Sequence, residues 1–431
     1  MALGLRALNR MASSAAIDRF KMRKPAERAL YRASKGSFTA AGAVGRQFAA
    51  KQKRDTPARQ PNTKSAGLFD LTPNDEQQML IEAFGEFAQA ELRPHALEAD
   101  NNCAASPELL KQSTELGVTM IGVPEELGGA VTERSAVTSV LISEALAKGD
   151  MGIAVAALAP AAVSTAIGLW GDADQQSTYL PEFVGEDVPA AALAIMEPKP
   201  LFNPFQLDTR ATKDPDGGYT LYGVKSLVPR AAEAELFVVS ADLEGTPALF
   251  IVESKTPGVY CEPEPAMGIR AAATASLKLD AVHLPAAALL GGADPQVYSD
   301  CIQLGRIAWS AVAAGTCQAV LDYVIPYVNE RTAFGEPISH RQAVAFTVSN
   351  IAIELEGIRL TTYRAASRAD RGTTFAREAA ISRQLVATKG MQIGSDGVQL
   401  LGGHGYIKEH PVERWYRDLR AAGMLEGILL V

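Results

Sequence analysis

The chain has 431 residues, 47% of them hydrophobic, and its 41 Lys and Arg residues against 49 Asp and Glu residues give a net charge of −8. This length and this apolar share predict a globular protein of two or three domains. The most apolar stretch, residues 151–169, is interrupted by Pro160, Ser164 and Thr165, which favours a buried pair of helices over a membrane span.

The charge is unevenly distributed along the chain. Residues 1–65 contain 15 Lys and Arg against three Asp and Glu, whereas residues 66–431 contain 26 against 46. The acidic body argues against nucleic acid as a partner. The basic tail ends in a Pro-containing linker and is expected to be flexible. Its composition fits an organelle transit peptide, an arm that contacts an anionic membrane surface, or a disordered tail.

The spacing of cysteine and histidine residues argues against a disulfide framework and a structural metal site. No C-x-x-C pair and no H-x-x-x-H set occurs in the sequence. We therefore expect no metal, a reducing compartment and four inert thiols, which belong to Cys103, Cys261, Cys301 and Cys317.

Residues 66–187 show helical periodicity. The stretch "LTPNDEQQMLIEAFGEFAQAEL" offers Thr72 or Asn74 as a helix N-cap. Apolar side chains follow at helical spacing, at Met79, Leu80, Phe84 and Phe87. Breaks such as "VPEELGG" at 123–129 contain the Pro and Gly residues that end helices. These features predict an N-terminal helical domain.

Residues 188–290 have the composition and turn spacing that are typical of β-strands. Short runs rich in Val, Leu, Tyr and Phe, such as "AELFVVSAD" and "PALFIVES", alternate with turn sequences such as "PDGG" and "LEGT". Because no long helices alternate with these runs, we predict a small antiparallel sheet or barrel in the middle of a mostly α protein.

Long helical periods return over residues 291–431 and predict a helical bundle. Apolar positions from Val344 to Thr362 recur at steps of four and three residues, which is typical of a bundle helix. A second helix runs through "AREAAISRQLVATKGMQIGSDGVQLL" and is expected to end at "GGHG", where glycines provide the backbone freedom that a helix end needs.

Two C-terminal motifs are candidates for ligand contact. In "NERTAFGEPISHRQAV" (329–344), Arg331 precedes the Phe334–Gly335 turn, an arrangement suited to a diphosphate, although a solvated loop arginine is the alternative. The motif "GGHGY" (402–406) lacks the G-x-G-x-x-G spacing and follows a helix, so it is no dinucleotide fingerprint. Its glycines fit either a helix end or the close approach of backbone to a flat ligand.

Taken in order, these stretches resemble the acyl-CoA dehydrogenase family. The motifs are "DEQQMLIEAFGEFAQAELRP", "VPEELGG", "AIMEP", a β segment, "ERTAFGEPISHRQAV", "QLLGGHGYIKEHPVERWYRD" and a late Glu-Gly, and they cover roughly residues 70–428. The resemblance implies an N-terminal helical domain, a middle β domain and a C-terminal four-helix bundle. It also implies a homo-oligomer, a dimer or tetramer, with FAD bound between the β domain and the bundle.

The resemblance assigns roles to residues of this sequence. Arg331 and Phe334 are expected to hold the pyrophosphate and adenine side of FAD. From a neighbouring subunit, FAD would be contacted by Gln399, Gly402 and Gly403.

Glu426, in "LEG", matches the catalytic base that removes the α-proton of an acyl-CoA, while a hydride leaves Cβ for FAD to give a trans-2-enoyl thioester. Gly427 allows close backbone approach. The alternative family position for the base holds Gly305, followed by Arg306, a candidate for substrate orientation or an ordinary helix arginine.

The sequence departs from the family pattern where the flavin ring is normally contacted. Met196 replaces the usual Thr donor, Leu227 the usual Trp and Pro229 the usual Thr, and proline offers no backbone N–H. These changes leave open whether FAD binds. The leading hypothesis is an FAD-dependent acyl-CoA dehydrogenase, and the alternative is a catalytically silent subunit or scaffold of the same fold. A lipid-surface protein that acts through residues 1–65 is the third possibility.

The resemblance also implies partners and a location. Acyl-CoA is the expected substrate and an electron-transfer flavoprotein the expected electron acceptor. A bacterial cytoplasm or a mitochondrial matrix is the expected compartment, with peripheral membrane contact through the basic tail as an addition.

Overall fold

The computed structural model describes residues 72–129, 134–185 and 187–431. The expectations for the basic tail and its linker, residues 1–65, therefore lie outside the described residues. The described part belongs to one structural unit, Phe69–Val431.

The N-terminal part is helical, as the sequence predicted. Asn74 is the N-cap of the first helix and forms a capping box with Gln77, because each side chain accepts the other's backbone N–H. Phe84 is buried, but Met79 is 64% exposed, so the predicted apolar face is narrower than its spacing indicated. The helices are α1 Asp75–Phe87, α2 Arg93–Asn102, α3 Pro107–Glu115, α4 Ala136–Ala147, α5 Met151–Trp170 and α6 Ala173–Tyr179.

The apolar stretch 151–169 forms one helix, so the predicted pair of helices is wrong. Helix α5 continues through Pro160 and is buried along almost its entire length. Two described helices, α5 and a C-terminal one at 295–330, are long and apolar enough to cross a membrane, but 89% and 61% of their apolar windows are buried inside the protein. A long core helix passes the same composition test, and this burial is typical of one.

The middle part is a sheet. Within the described residues its strands are β1 Ala191–Ala194, β2 Arg210–Lys213, β3 Tyr219–Val228, β4 Leu236–Leu243, β5 Thr246–Glu253, β6 Val259–Pro263, β7 Ala275–Leu284 and β8 Leu289–Leu290. They are ordered β6-β7-β3-β2-β4-β5-β8, and β1 pairs with β4. The two outer strands of this described sheet do not pair with each other, so the sheet is open and the barrel alternative is wrong.

The sheet is not purely antiparallel, which corrects the prediction. β1 and β2 both run parallel to β4, whereas the other pairs are antiparallel. Along β4 the side chains alternate between two cores: Leu236 and Val238 pack against the helices, and Phe237 and Val239 belong to a second cluster on the opposite face. Residues 236–239 of β4 are buried on both faces of the sheet, and all four are apolar.

The C-terminal part is a helical domain, as predicted. Its helices are α7 Pro295–Glu330, α8 Gln342–Asp370, α9 Ala376–Leu385, α10 Met391–Leu401, α11 Val412–Leu419 and α12 Ala421–Met424, and a hairpin of β9 Thr332–Ala333 and β10 Glu336–Pro337 joins α7 to α8. The period from Val344 to Thr362 is confirmed, since Ile351, Leu355, Ile358 and Thr362 are buried. A π-helical turn at 386–390 joins α9 to α10, and Gly402 is the C-cap of α10.

A cluster of charged residues joins the three parts of the chain. The Asp100 carboxylate, at the end of α2, accepts bonds of 2.8 and 2.9 Å from the two Nη atoms of Arg417 in α11. Arg270, from the middle part, lies 3.6 Å from the same carboxylate. One residue further along α11, Asp418 accepts the backbone N–H of Ile269 at 2.6 Å. Helix α11 is therefore tied to both other parts.

Candidate active site

The site is built around Glu426, which follows the short helix α12. The chain leaves α12 in an extended conformation at Leu425 and turns at Gly427, whose φ is +68°. Glu426 is only 4% exposed, and its neighbours Leu425 and Ile428 are buried as well. The Glu426 carboxylate is therefore kept away from bulk water.

Arg306 of α7 forms an ion pair with the Glu426 carboxylate. Its Nε lies 3.2 Å from Oε1 and 3.0 Å from Oε2, and its Nη2 lies 2.9 Å from Oε1. A planar guanidinium meets a carboxylate in this forked geometry, which is stronger than a single charged bond. The structure thus brings together two residues that the sequence singled out separately.

A second arginine, Arg383 of α9, contacts the same segment. Its Nη2 lies 3.1 Å from Glu426 Oε1, and its Nη1 donates to the Leu425 carbonyl at 2.8 Å. Burial holds the pKa of the Arg383 guanidinium below its usual value; the Glu426 carboxylate opposes this shift and Arg306 adds to it. Sequence reasoning missed Arg383, because it stands in no motif and is separated from Glu426 by more than 40 residues.

The turn at Gly427 fits tightly against the rest of the site. A Cβ added to Gly427 would lie 2.3 Å from Cγ1 of Ile195, the residue that follows β1, so a side chain at position 427 would clash there. The Gly427 carbonyl accepts a bond of 2.8 Å from the Trp309 indole of α7. Gly305 of α7 leaves room for residues 427–429 to pass close to this helix, since a Cβ added to Gly305 would lie 3.1 Å from the Leu429 carbonyl oxygen.

The two arginines give the site more positive than negative charge. Both guanidiniums face a single carboxylate, and among the described residues Glu426 is the carboxylate with which each forms an ion pair. Oε1 has three guanidinium nitrogens within 3.2 Å, whereas Oε2 has the single contact from Arg306 Nε. Oε2 is therefore the oxygen with more capacity to accept a proton.

Arg331 and Phe334 lie on the connection between α7 and α8. Arg331 follows the last residue of α7 and is exposed, and it forms no ion pair within the part of the chain that the structure describes. Phe334, at the tip of the hairpin, has a φ of +56° and is 96% exposed. An aromatic ring presented in this way has little packing to lose and is available to a ligand.

Gln399, Gly402 and Gly403 lie at the end of α10, and all three are exposed. A Cβ added to either glycine would meet nothing within 4 Å, so the backbone there is open to close approach. The Tyr327 hydroxyl of α7 lies 3.0 Å from Nδ1 of His404, which ties this loop to the last turn before Arg331. These residues and the hairpin residues are free to contact a flat, charged ligand, and their chemistry fits FAD.

The strand residues expected near the flavin ring have different roles here. The Met196 carbonyl accepts the backbone N–H of Ser226 at 2.9 Å. The Leu227 N–H donates to the Glu264 carboxylate at 2.8 Å, and Leu227 has a φ of +53°. Together with Pro229, which has no N–H, this turn offers fewer donors than a Thr and Trp pair would.

Cys301 and Cys317 are buried, as expected for inert thiols, whereas Cys103 and Cys261 are only partly buried. Burial raises the pKa of the Cys301 thiol to about 12 and that of Cys317 well above its ordinary range. A thiol that does not ionise is a poor nucleophile.

Comparison with known proteins gives matches over most of the chain. Three family models match: the acyl-CoA dehydrogenase N-terminal domain over residues 74–187, the middle domain over 192–282 and the C-terminal domain over 296–428.

Two similar relatives come from a bacterium and a mammal. The chain is 30% identical over 369 residues to the short-chain specific acyl-CoA dehydrogenase of Megasphaera elsdenii, covering 83% of this chain and 96% of that protein. It is 32% identical over 365 residues to the mitochondrial short/branched chain specific acyl-CoA dehydrogenase of Rattus norvegicus, covering 83% of each chain. The structure of butyryl-CoA dehydrogenase from Megasphaera elsdenii is similar with a TM-score of 0.77 and 29% identity, covering 83% of this chain and 96% of that one.

Proposed function

Because the chain belongs to the acyl-CoA dehydrogenase family, we propose that it uses Glu426 to remove the α-proton of an acyl-CoA thioester and forms the trans-2-enoyl-CoA. Members of this family are oxidoreductases of fatty acid metabolism, and the cofactor is FAD. The observation that supports the role of Glu426 most directly is that this residue is 4% exposed and that its carboxylate contacts Arg306 of α7 and Arg383 of α9.

A buried carboxylate is suited to this step. Water stabilises a carboxylate and weakens it as a base toward a carbon acid, so exclusion of water favours proton abstraction. Oε2 is the oxygen assigned to the proton, since Oε1 is bonded by both Arg306 and Arg383. The acyl thioester must displace the Arg306 contact from Oε2 for Cα to approach.

The surplus positive charge of the site has a use in the same reaction. Negative charge develops on the thioester oxygen as the proton leaves, and fixed donors and charges near that oxygen lower the barrier. The donor proposed on this chain is the backbone N–H of Glu426, with the Arg306 guanidinium contributing through its field.

Bound FAD would supply the acceptor for the hydride that leaves Cβ. Arg331 and Phe334 are the residues proposed for its pyrophosphate and adenine side. Gln399, Gly402 and Gly403 are proposed to contact the FAD of a neighbouring subunit, because they lie exposed and are therefore available to a second chain. Arg306 is proposed to orient the substrate in addition to holding the base.

A homotetramer fits the exposed face of α8. Phe346, Ile353 and Leu360 are all exposed, and a spacing of seven residues places them along one side of the helix. An exposed apolar stripe of this kind is typical of a subunit contact.

We also propose that an electron-transfer flavoprotein accepts the electrons. The proposed compartment is a bacterial cytoplasm or a mitochondrial matrix, because the relatives include proteins of both origins.

The test begins with the absorbance spectrum of the purified protein. A dehydrogenase is yellow and loses its flavin absorbance when a short acyl-CoA such as butyryl-CoA is added without oxygen. A protein that stays colourless after incubation with FAD would favour the alternative, a catalytically silent member of the family. A flavin that binds but is not bleached by acyl-CoAs of several lengths would reject the proposed reaction.

A further inference from the structure

Arg383 bonds the whole segment that carries Glu426. Besides Glu426 itself, its guanidinium donates to the carbonyls of Leu425 at 2.8 Å, Gly423 at 3.3 Å and Ala422 at 3.4 Å. Three backbone carbonyls and one carboxylate oxygen therefore converge on one side chain. That side chain is only 16% exposed.

The Arg383 guanidinium bonds carbonyl groups at the end of α12 that would otherwise lack partners. Helix α12 has four residues, Ala421–Met424, and leaves its last carbonyls without partners inside the helix. A guanidinium at a helix C-terminus bonds these carbonyls and opposes their negative charge. Because Leu425 and Glu426 follow directly, whatever fixes the end of α12 also fixes the position of the Glu426 carboxylate.

We propose that Arg383 is a positioning residue for the base: it holds residues 422–426 so that Glu426 faces the acyl-CoA, and this inference rests on the proposed role of Glu426. Arg306 does a different job, since its bonds to this segment go to the Glu426 side chain alone. Loss of Arg383 therefore releases the backbone, whereas loss of Arg306 releases only the carboxylate.

The proposal is tested with Arg383→Met and Arg383→Lys, and with Arg377→Met as the matched control. Arg377 lies on the same helix and is exposed, so its loss should change nothing. Each variant is examined by thermal unfolding, by amide hydrogen exchange over residues 421–428, and by steady-state kinetics with butyryl-CoA. A fourth measurement follows exchange of the substrate α-proton with D2O, which reports proton abstraction separately from electron transfer.

In Arg383→Met we expect faster amide exchange over residues 421–428. We expect kcat and α-proton exchange to fall by about 100-fold, the effect of a base displaced by about 1 Å. KM should change by less than about 3-fold, because Arg383 acts through Glu426 and not on bound substrate. Arg383→Lys should recover part of kcat, since an ammonium bonds some of the acceptors but cannot bridge all of them.

Wild-type amide exchange and wild-type kcat in Arg383→Met would overturn the proposal. If that variant does not fold, the same pair of wild-type values in Arg383→Lys would overturn it. A failure of the proposed function looks different: the wild-type protein itself would then show neither flavin bleaching nor α-proton exchange. In that case, faster amide exchange in Arg383→Met would still support the conclusion that Arg383 fixes the backbone of residues 422–426.

Discussion

Arg306 and Glu426 form a forked ion pair across the site, with Nε 3.2 and 3.0 Å from the two carboxylate oxygens and Nη2 2.9 Å from Oε1. The pair keeps the carboxylate in one orientation before any substrate arrives. If Glu426 is the base, as proposed, it is preorganised, and the substrate must compete with Arg306 for its carboxylate.

Glu426→Gln should retain the fold and FAD but lose dehydrogenation. The amide still accepts one bond from Arg306, yet it cannot take a proton from carbon, so we expect kcat to fall at least about 100-fold. Stopped-flow bleaching of flavin by butyryl-CoA measures this. The control is Glu409→Gln, which changes an exposed glutamate. Near-normal turnover in Glu426→Gln would show that another group is the base.

Phe334→Ala should weaken FAD binding without weakening the fold. The ring is 96% exposed, so its removal should change the free energy of unfolding by less than about 0.5 kcal/mol. Fluorescence titration of the flavin-free protein with FAD, together with urea unfolding, separates the two effects. Leu201→Ala, at another fully exposed apolar residue, should change neither quantity. Unchanged FAD affinity in Phe334→Ala would remove this residue from the cofactor site.

Gly427→Ala should destabilise the protein more than Gly372→Ala. Both glycines have positive φ, +68° and +60°, so alanine costs about 1 kcal/mol at each for backbone strain. At Gly372 nothing lies within 4 Å of an added Cβ, whereas at Gly427 that atom overlaps Ile195. We expect a further 1–3 kcal/mol, roughly, and a loss of turnover in Gly427→Ala alone. Equal urea midpoints for the two variants would contradict the packing described for this turn.

Asp418→Asn should change the pH dependence of stability. Burial raises the pKa of Asp418 to about 8 from a usual value of 3.8, and the nearby Asp150 adds to the shift. Between these values the folded protein holds a proton that the unfolded chain has lost, so the free energy of unfolding falls as pH rises from about 4 to about 8. Asparagine is neutral throughout and still accepts the Ile269 N–H.

Urea unfolding at several pH values checks this. The stability of Asp418→Asn relative to the wild type should increase steadily from about pH 5 to about pH 8. A relative stability that is constant over this range would mean that Asp418 ionises as readily in the folded protein as in the unfolded chain.

Sequence patterns predicted the elements whose causes are local. The period from Val344 to Thr362 and the end of α10 at Gly402 depend on neighbours within a few turns, and both are confirmed. The burial of Glu426 could be predicted because apolar residues surround it in the sequence.

Other features depend on contacts between distant parts of the chain. The parallel pairing of β1 with β4 joins segments about 45 residues apart, and nothing in either strand specifies direction. Pro160 was interpreted as a break, but the apolar surroundings of α5 outweigh the local cost of proline in a helix. Arg383 could not be predicted to contact residues 422–426, because its partners are mostly backbone carbonyls and these have no sequence signature.

The contacts of Arg270 and Arg417 with the Asp100 carboxylate limit how this protein can be recombined with its relatives. Each of the three residues comes from a different third of the chain. A chimera with the middle part of another protein keeps Asp100 and Arg417 but loses Arg270, unless the donor sequence has an arginine at the same place. An exchange of the middle part between relatives therefore has to preserve an arginine that can contact Asp100.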